Sequence, residues 1–219
     1  MADVKIANVK IYGAPQSTYV RTARMICEEK GIDYDLEVVD ISEDGYRAIH
    51  PFGKMPGFRH GDVQLYETPA IGFYLDTTFD GPALQPSDTL GMARMIQWIS
   101  ATCDYGYQAL IRELVIPRFV LPMRGETPDE EAIKAALPRV ETFLKVADAT
   151  LAKSDYLAGD ALSLADLLLV PCAFYLSMLP EGKELLPKYR HVGAWLERMM
   201  ARPSFAATMP PAPNQEAAE

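Results

Sequence analysis

Residues 50–68 read HPFGKMPGFRHGDVQLYET. Two short apolar runs, Met55-Pro56-Gly57-Phe58 and Val63-Gln64-Leu65-Tyr66, flank the polar His60-Gly61-Asp62, whose composition suits a hairpin turn. Glu67-Thr68 then opens a helix carrying Ile71, Tyr74 and Leu75 at three- and four-residue spacing. The stretch therefore predicts a strand–strand–helix unit, entered through the turn-rich segment Gly45 to Lys54.

Toward the N-terminus, Val9 and Ile11 alternate with polar residues and stop at Gly13-Ala14-Pro15, a strand followed by a turn. Ser17 and Thr18 are good N-cap residues for an amphipathic stretch with Val20, Ala23, Ile26 and Cys27 on one face. Gly31 closes that helix as a left-handed cap would. Leu36 to Val39 reads as a second strand, completing a βαβ unit over about residues 8 to 40. The first third is thus α/β, in the order βαβ–ββα.

Toward the C-terminus, residues 79–89 (FDGPALQPSDT) have a linker composition, and the pattern beyond them is helical throughout. Ile133, Leu137, Val140, Leu144, Ala147 and Leu151 form one apolar stripe, with Pro138 either kinking that helix or marking its start. Ser163-Leu164-Ala165-Asp166 has the spacing of a capping box, Asp standing for the usual Glu or Gln. A last helix runs from about His191 to Ala201 and ends at Arg202-Pro203. The expected organisation is an α/β domain over 1–78, a linker over 79–89, an all-helical domain over 90–209 and a disordered tail over 210–219.

With 219 residues, 49% of them apolar, the chain can bury a sizeable core. Its 21 basic and 30 acidic residues give a formal charge of −9, which repels phosphate backbones and argues against nucleic acid as the main partner. The N-terminus is charged and lacks the apolar core of a signal peptide. The longest nearly apolar run, Leu167 to Leu179, falls short of the roughly 20 residues a membrane span needs. Cys27, Cys103 and Cys172 are odd in number and far apart, which predicts buried, reduced thiols and a cytoplasmic protein. His50, His60 and His191 make no metal motif. The glycine-rich dinucleotide and phosphate loops and the G-x-S-x-G nucleophile turn are missing, which disfavours a dehydrogenase, a kinase and a hydrolase.

Two features can carry chemistry. Ser17 follows a strand and opens a helix, where outward N–H groups and the helix dipole favour an anion, and its hydroxyl can either donate to a bound thiolate or merely cap the helix. Lys54-Met55-Pro56 followed by Glu67-Thr68 is the other. A cis proline there would leave the Met55 backbone free to pair with an extended peptide ligand, while a trans proline would make an ordinary turn.

In this order and spacing, the Ser17 turn, the segment His50-Pro51-Phe52-Gly53-Lys54-Met55-Pro56, Tyr66-Glu67-Thr68, Tyr156-Leu157-Ala158-Gly159-Asp160 before the capping box, and Trp195-Leu196 before Ala201-Arg202-Pro203 resemble the glutathione S-transferases. The resemblance covers about residues 8 to 209. Phi-like, serine-type members fit best, since Ser17-Thr18 stands four residues before Arg21. His50 occupies the place of an Asn in their N-P-F-G-[KQ]-x-P pattern. The resemblance implies a thioredoxin-like domain followed by a helical bundle domain. It implies that Ser17 activates the thiol of glutathione and that Met55, beside cis-Pro56, pairs with its cysteinyl part. Lys54 would then meet the glycyl carboxylate, and Glu67 and Thr68 the γ-glutamyl end. The implied reaction is attack of the thiolate on a small hydrophobic electrophile, in detoxification, with glutathione as co-substrate and no metal. The implied assembly is a homodimer in which the first domain of one subunit meets the helices of the other.

Two departures limit what is carried over. The segment Ser42 to Ile49 is shorter than in plant phi members, so Arg47 is only a spatial candidate for a second carboxylate ligand. Gln16 stands where beta members have their cysteine, which disfavours cysteine-type chemistry. Tyr12 is the rival hydroxyl. Peroxide reduction at the same site and a non-catalytic binding member of the fold are the alternative functions. The energetics suffice: a thiol with a pKa of about 8.5 becomes mostly thiolate at neutral pH when lowered by about two units, or roughly 2.7 kcal/mol. One hydrogen bond to a charged acceptor gives about 1.5–3 kcal/mol and a helix N-terminus about 0.3–1 kcal/mol more.

Overall fold

A computed structural model of the protein describes residues 8–211; most of the predicted disordered tail, 212–219, lies outside them. The chain divides into two compact units, one formed by residues up to Ala83 together with those from Arg202 on, the other by Leu84–Ala201.

In the first unit, β1 (Val9–Tyr12) is followed by α1 (Thr18–Lys30), β2 (Tyr34–Glu37), a 3-10 turn (Asp44–Ala48), β3 (Gly57–His60), β4 (Val63–Tyr66) and α2 (Thr68–Thr78). The strands form one sheet in the order β2-β1-β3-β4, with β1 and β2 parallel and the other two pairings antiparallel. This is the predicted βαβ–ββα order. The second strand lies two residues earlier than predicted, and β3 starts at Gly57 because Met55 and Pro56 make the bend that enters it. Val9, Ile11 and Phe58 bury inward-facing side chains against Val20, Ala23 and Ile26 of α1 and Ile71 and Leu75 of α2. Gly31, at φ 66°, caps α1 with its N–H on Cys27 O and Glu28 O. Lys30 and Asp76 form a buried ion pair of 2.9 Å that ties α1 to α2.

The helix expected to be the last ends at Met200, ahead of Arg202-Pro203, but one more follows, α9 (Pro203–Ala207). It packs on α1. Arg202 and Ser204 both bond the Glu29 carboxylate, Arg24 donates to the carbonyls of Ala207 and Thr208, and the Arg21 guanidinium lies 4.6 Å over the Phe205 ring. Five residues with two alanines carry no periodic signal, so α9 is set by what it docks on.

The second unit is helical: α3 (Thr89–Ala101), a wider-wound stretch Thr102–Val120, α4 (Leu121–Met123), α5 (Glu130–Leu151), α6 (Leu164–Met178), α7 (Pro180–Leu185), a 3-10 turn (Leu186–Lys188) and α8 (Arg190–Met200). At the end of the wide stretch, the Leu121 N–H reaches five residues back to Ile116 O, past Pro117. α5 buries the predicted stripe, with Leu137 only half-buried and Ala136 and Phe143 added; Pro138 lies inside it on the exposed side and is not its start. The box at Ser163 is present, and Asp166 is also the acceptor for Leu157 N–H at 2.9 Å and the Trp195 indole N–H at 3.0 Å. Burial pushes the Asp166 carboxyl above its ordinary range, against the pull of these donors. Cys27 and Cys172 are buried as expected, and burial raises the Cys27 thiol to about 12, but Cys103 is half-exposed. Among the described residues no single helix is long and apolar enough to cross a membrane, and no cluster of His, Cys, Asp and Glu could hold a metal ion.

Candidate functional site

The sheet register brings three segments to one end of the first unit. Tyr12 lies opposite Gly57, and Gly57 opposite Tyr66. Because β1 and β4 run out where β3 enters, the turn from Gly13 to Ser17, the residues Lys54 to Pro56 and the pair Glu67-Thr68 all leave the sheet at that end. These are the segments that hold every predicted site residue.

Ser17 is the N-cap of α1, half-buried, with extended backbone (φ −65°, ψ 128°). Its Oγ accepts the Val20 N–H at 3.4 Å, long for a cap, and its own proton stays available for donation. The helix behind it contributes the partial positive charge of its first turn, which no acidic side chain in that turn offsets. Gly13 makes the approach to Ser17 possible. At φ 151°, a Cβ there would lie 2.6 Å from Val20 Cγ2 and 3.0 Å from Met55 Cβ.

The Met55–Pro56 peptide is cis. No ladder pairing reaches Met55, since β3 begins two residues later. The Met55 side chain turns back on the first segment, where its sulfur accepts the Ala14 N–H at 3.4 Å. Met55 and the Ser17 turn are thereby in direct contact. The Lys54 side chain is exposed, and its carbonyl is fixed by the Tyr46 hydroxyl at 2.8 Å. Sequence reasoning passed over Tyr46, whose only signal is an aromatic in a turn-rich stretch. Arg47 is turned onto its own loop, donating to Pro51 O at 3.3 Å.

Glu67 is exposed and adopts φ 69°, the one positive φ at a non-glycine residue among those described. Residues held in this region cost about 1–3 kcal/mol and cluster at ligand sites. Its side chain does not cap α2, whose first residue, Thr68, is buried. Glu67 thus combines a positive φ with an exposed side chain at the start of α2, at the same end of the sheet as the Ser17 turn. Tyr12, the rival hydroxyl, is half-buried within β1, upstream of the turn.

Two family models match the chain: the glutathione S-transferase N-terminal domain over residues 11–83 and the C-terminal domain over residues 107–203. The chain is 33% identical over 211 residues to glutathione S-transferase 1 of Triticum aestivum, covering 90% of this chain and 91% of that one. Among solved structures it resembles glutathione S-transferase I from maize in complex with an atrazine glutathione conjugate (30% identity, TM-score 0.84, 92% and 96% of the two chains covered). It resembles equally glutathione transferase F7 from Populus trichocarpa (30% identity, TM-score 0.84, 91% and 97% covered).

Proposed function

This chain belongs to the glutathione S-transferase family, as a phi-like member, and with that as premise we propose that its three converging segments hold glutathione and make its thiol a nucleophile. The enzyme conjugates glutathione to electrophiles. The observation that carries the assignment of the nucleophile-activating group is the half-buried Ser17 hydroxyl at the start of α1, whose proton no cap consumes. A thiol set against it loses its proton to solvent without a general base, because the thiolate that forms receives that hydrogen bond and the field of the helix N-terminus. The Met55 backbone, outside the sheet ladder, pairs with the cysteinyl part of the tripeptide. Lys54 meets the glycyl carboxylate, and Glu67 and Thr68 take the γ-glutamyl ammonium and carboxylate.

The electrophile is small and hydrophobic, and the maize relative in complex with an atrazine glutathione conjugate supports that class. The enzyme works as a homodimer. Phe52 and Tyr66, in edge contact at 5.8 Å and exposed by 66% and 38%, form an aromatic pair that a second copy would cover. It is cytoplasmic, in keeping with three cysteines held as thiols. A panel of aryl halides, α,β-unsaturated carbonyls and organic hydroperoxides, compared by kcat/KM with glutathione, tests the reading. Conjugation of the first two classes is expected; turnover of hydroperoxides alone would replace transfer by peroxide reduction.

A further inference from the structure

The Met55 backbone, given above to the cysteinyl part of glutathione, is oriented by a side chain that lies outside the three site segments. Tyr46 stands in the 3-10 turn (Asp44–Ala48) and is 4% exposed. Its hydroxyl donates to Lys54 O at 2.8 Å. That carbonyl and the Met55 N–H belong to the same peptide, which is trans and planar, so the two groups point in opposite directions. With Lys54 O held toward the turn, the Met55 N–H is held away from it. Among the described residues no hydrogen bond takes up that N–H.

Tyr46 is itself fixed from the sheet side. Its carbonyl accepts the N–H groups of Ile49 at 2.8 Å and His50 at 3.0 Å, and its ring stacks on His50, 6.5 Å between centroids. The turn is fastened to β4, where the Gln64 amide donates to Ala48 O at 2.6 Å and accepts from Arg59 at 2.8 Å. It also lies on the start of β3: a Cβ at Gly57 would be 2.5 Å from Ile49 Cγ2 and 3.4 Å from the Tyr46 hydroxyl oxygen. The donor is thus placed by β3 and β4, independently of the Lys54 carbonyl that it grips. Burial pushes the Tyr46 phenol above its ordinary range, against a weaker pull from the Gly57 backbone, so the hydroxyl keeps its proton and stays a donor.

We propose that Tyr46 is a positioning residue for glutathione, its hydroxyl turning the Lys54–Met55 peptide so that the Met55 N–H faces the carbonyl of the cysteinyl residue. The inference rests on the reading of the Met55 backbone as a glutathione ligand. Without the hydroxyl, this peptide plane is free to rotate, and the N–H must be ordered at the moment of binding. The bond it makes to glutathione is the same in the ground and transition states. Its loss therefore raises KM and leaves kcat at saturating glutathione unchanged. The Ser17 hydroxyl is untouched, so the bound thiol keeps its pKa.

The test is Tyr46→Phe, which removes one oxygen from a buried ring. S-methylglutathione should bind about three- to tenfold more weakly by calorimetry, up to the worth of one neutral hydrogen bond. KM for glutathione should rise by the same factor, with kcat and the thiol pKa at their wild-type values. Heteronuclear NMR with isotope-labelled methionine reads Met55 directly, its amide signal being identified by its absence in Met55→Leu. In wild type that amide proton should move downfield when S-methylglutathione is added, and in Tyr46→Phe it should move less. A folded Tyr46→Phe that binds as wild type does, or that gives the full Met55 shift, overturns the inference, whatever its thermal stability. Should Tyr46→Phe not fold, Gln64→Ala decides. Gln64 is exposed, and its loss frees the turn from β4, so binding should weaken in the same direction; unchanged binding there overturns the inference. Failure of S-methylglutathione to bind wild type, or an unmoved Met55 amide when it binds, overturns the reading of Met55 beneath it.

Discussion

Ser17 can act both as a cap for α1 and as donor to the thiolate, and the two roles predict different losses. Its bond to Val20 N–H is long, at 3.4 Å, so as a cap it contributes at the low end of the ordinary range. As donor to a charged sulfur it contributes about 1.5–3 kcal/mol, one to two pKa units. Ser17→Ala should therefore raise the pKa of bound glutathione by about one to two units, read by ultraviolet titration of the thiolate. Turnover at neutral pH should fall by about tenfold or more and recover in part at high pH. A folded variant with an unshifted thiol would move the search to Tyr12→Phe. Ser17 was visible as a strand-to-helix turn residue because a hydroxyl N-cap is a local signal. The positive φ of Glu67 was not visible, because nothing in Tyr66-Glu67-Thr68 demands it; the register of β4 against β3 and the docking of α2 impose it together.

At the scale of elements, α6 is anchored through one carboxylate. Asp166 accepts from Ser163 N–H at 3.0 Å, the Ser163 hydroxyl at 2.7 Å, Leu157 N–H and the Trp195 indole, so it joins the loop before α6, its first turn and α8. The sequence box accounts for one end of this network; the indole comes from 29 residues away. Asp166→Ala leaves several buried donors without an acceptor and should cost about 3 kcal/mol or more, seen as a lower denaturation midpoint. Asp166→Asn, which keeps an acceptor oxygen, should recover part of that.

The junction of α1 and α9 supplies a pH prediction. Partial burial of Glu29 favours its neutral form, but the Arg202 and Ser204 hydrogen bonds and the Arg202 charge outweigh it and hold the carboxyl below its ordinary value of 4.5. A carboxylate with a depressed folded-state pKa stabilises the fold above its unfolded pKa, and that stability is lost as pH falls through the folded value. Wild type should lose thermal stability below about pH 4.5 more steeply than Glu29→Gln. Parallel curves would show that this junction does not couple to the global transition.

For the molecule as a whole, the exposed Phe52–Tyr66 pair lies two residues from Lys54 in one segment and next to Glu67 in the other, so the proposed dimer contact and the proposed glutathione site would be neighbours. Sedimentation is expected to show a species of about twice 24.3 kDa, and Phe52→Asp should shift it toward the monomer and weaken glutathione binding. A wild-type protein that sediments only near 24.3 kDa would refute the dimer.

The βαβ–ββα unit and the helical remainder up to α8 were legible in the chain, because alternation, helical periodicity, caps and turn residues are local and survive in one dimension. It also placed the segments of the candidate site, since a cap, an X-Pro step and a helix start are each read within a few residues. How those segments meet, the return of α9 to α1, the reach of Asp166 to Trp195 and Leu157, and the burial of His50 against Tyr66 came from the fold. Each of these depends on strand register or on packing between residues distant in sequence, where the free energy of a contact belongs to the pair and neither residue alone announces it.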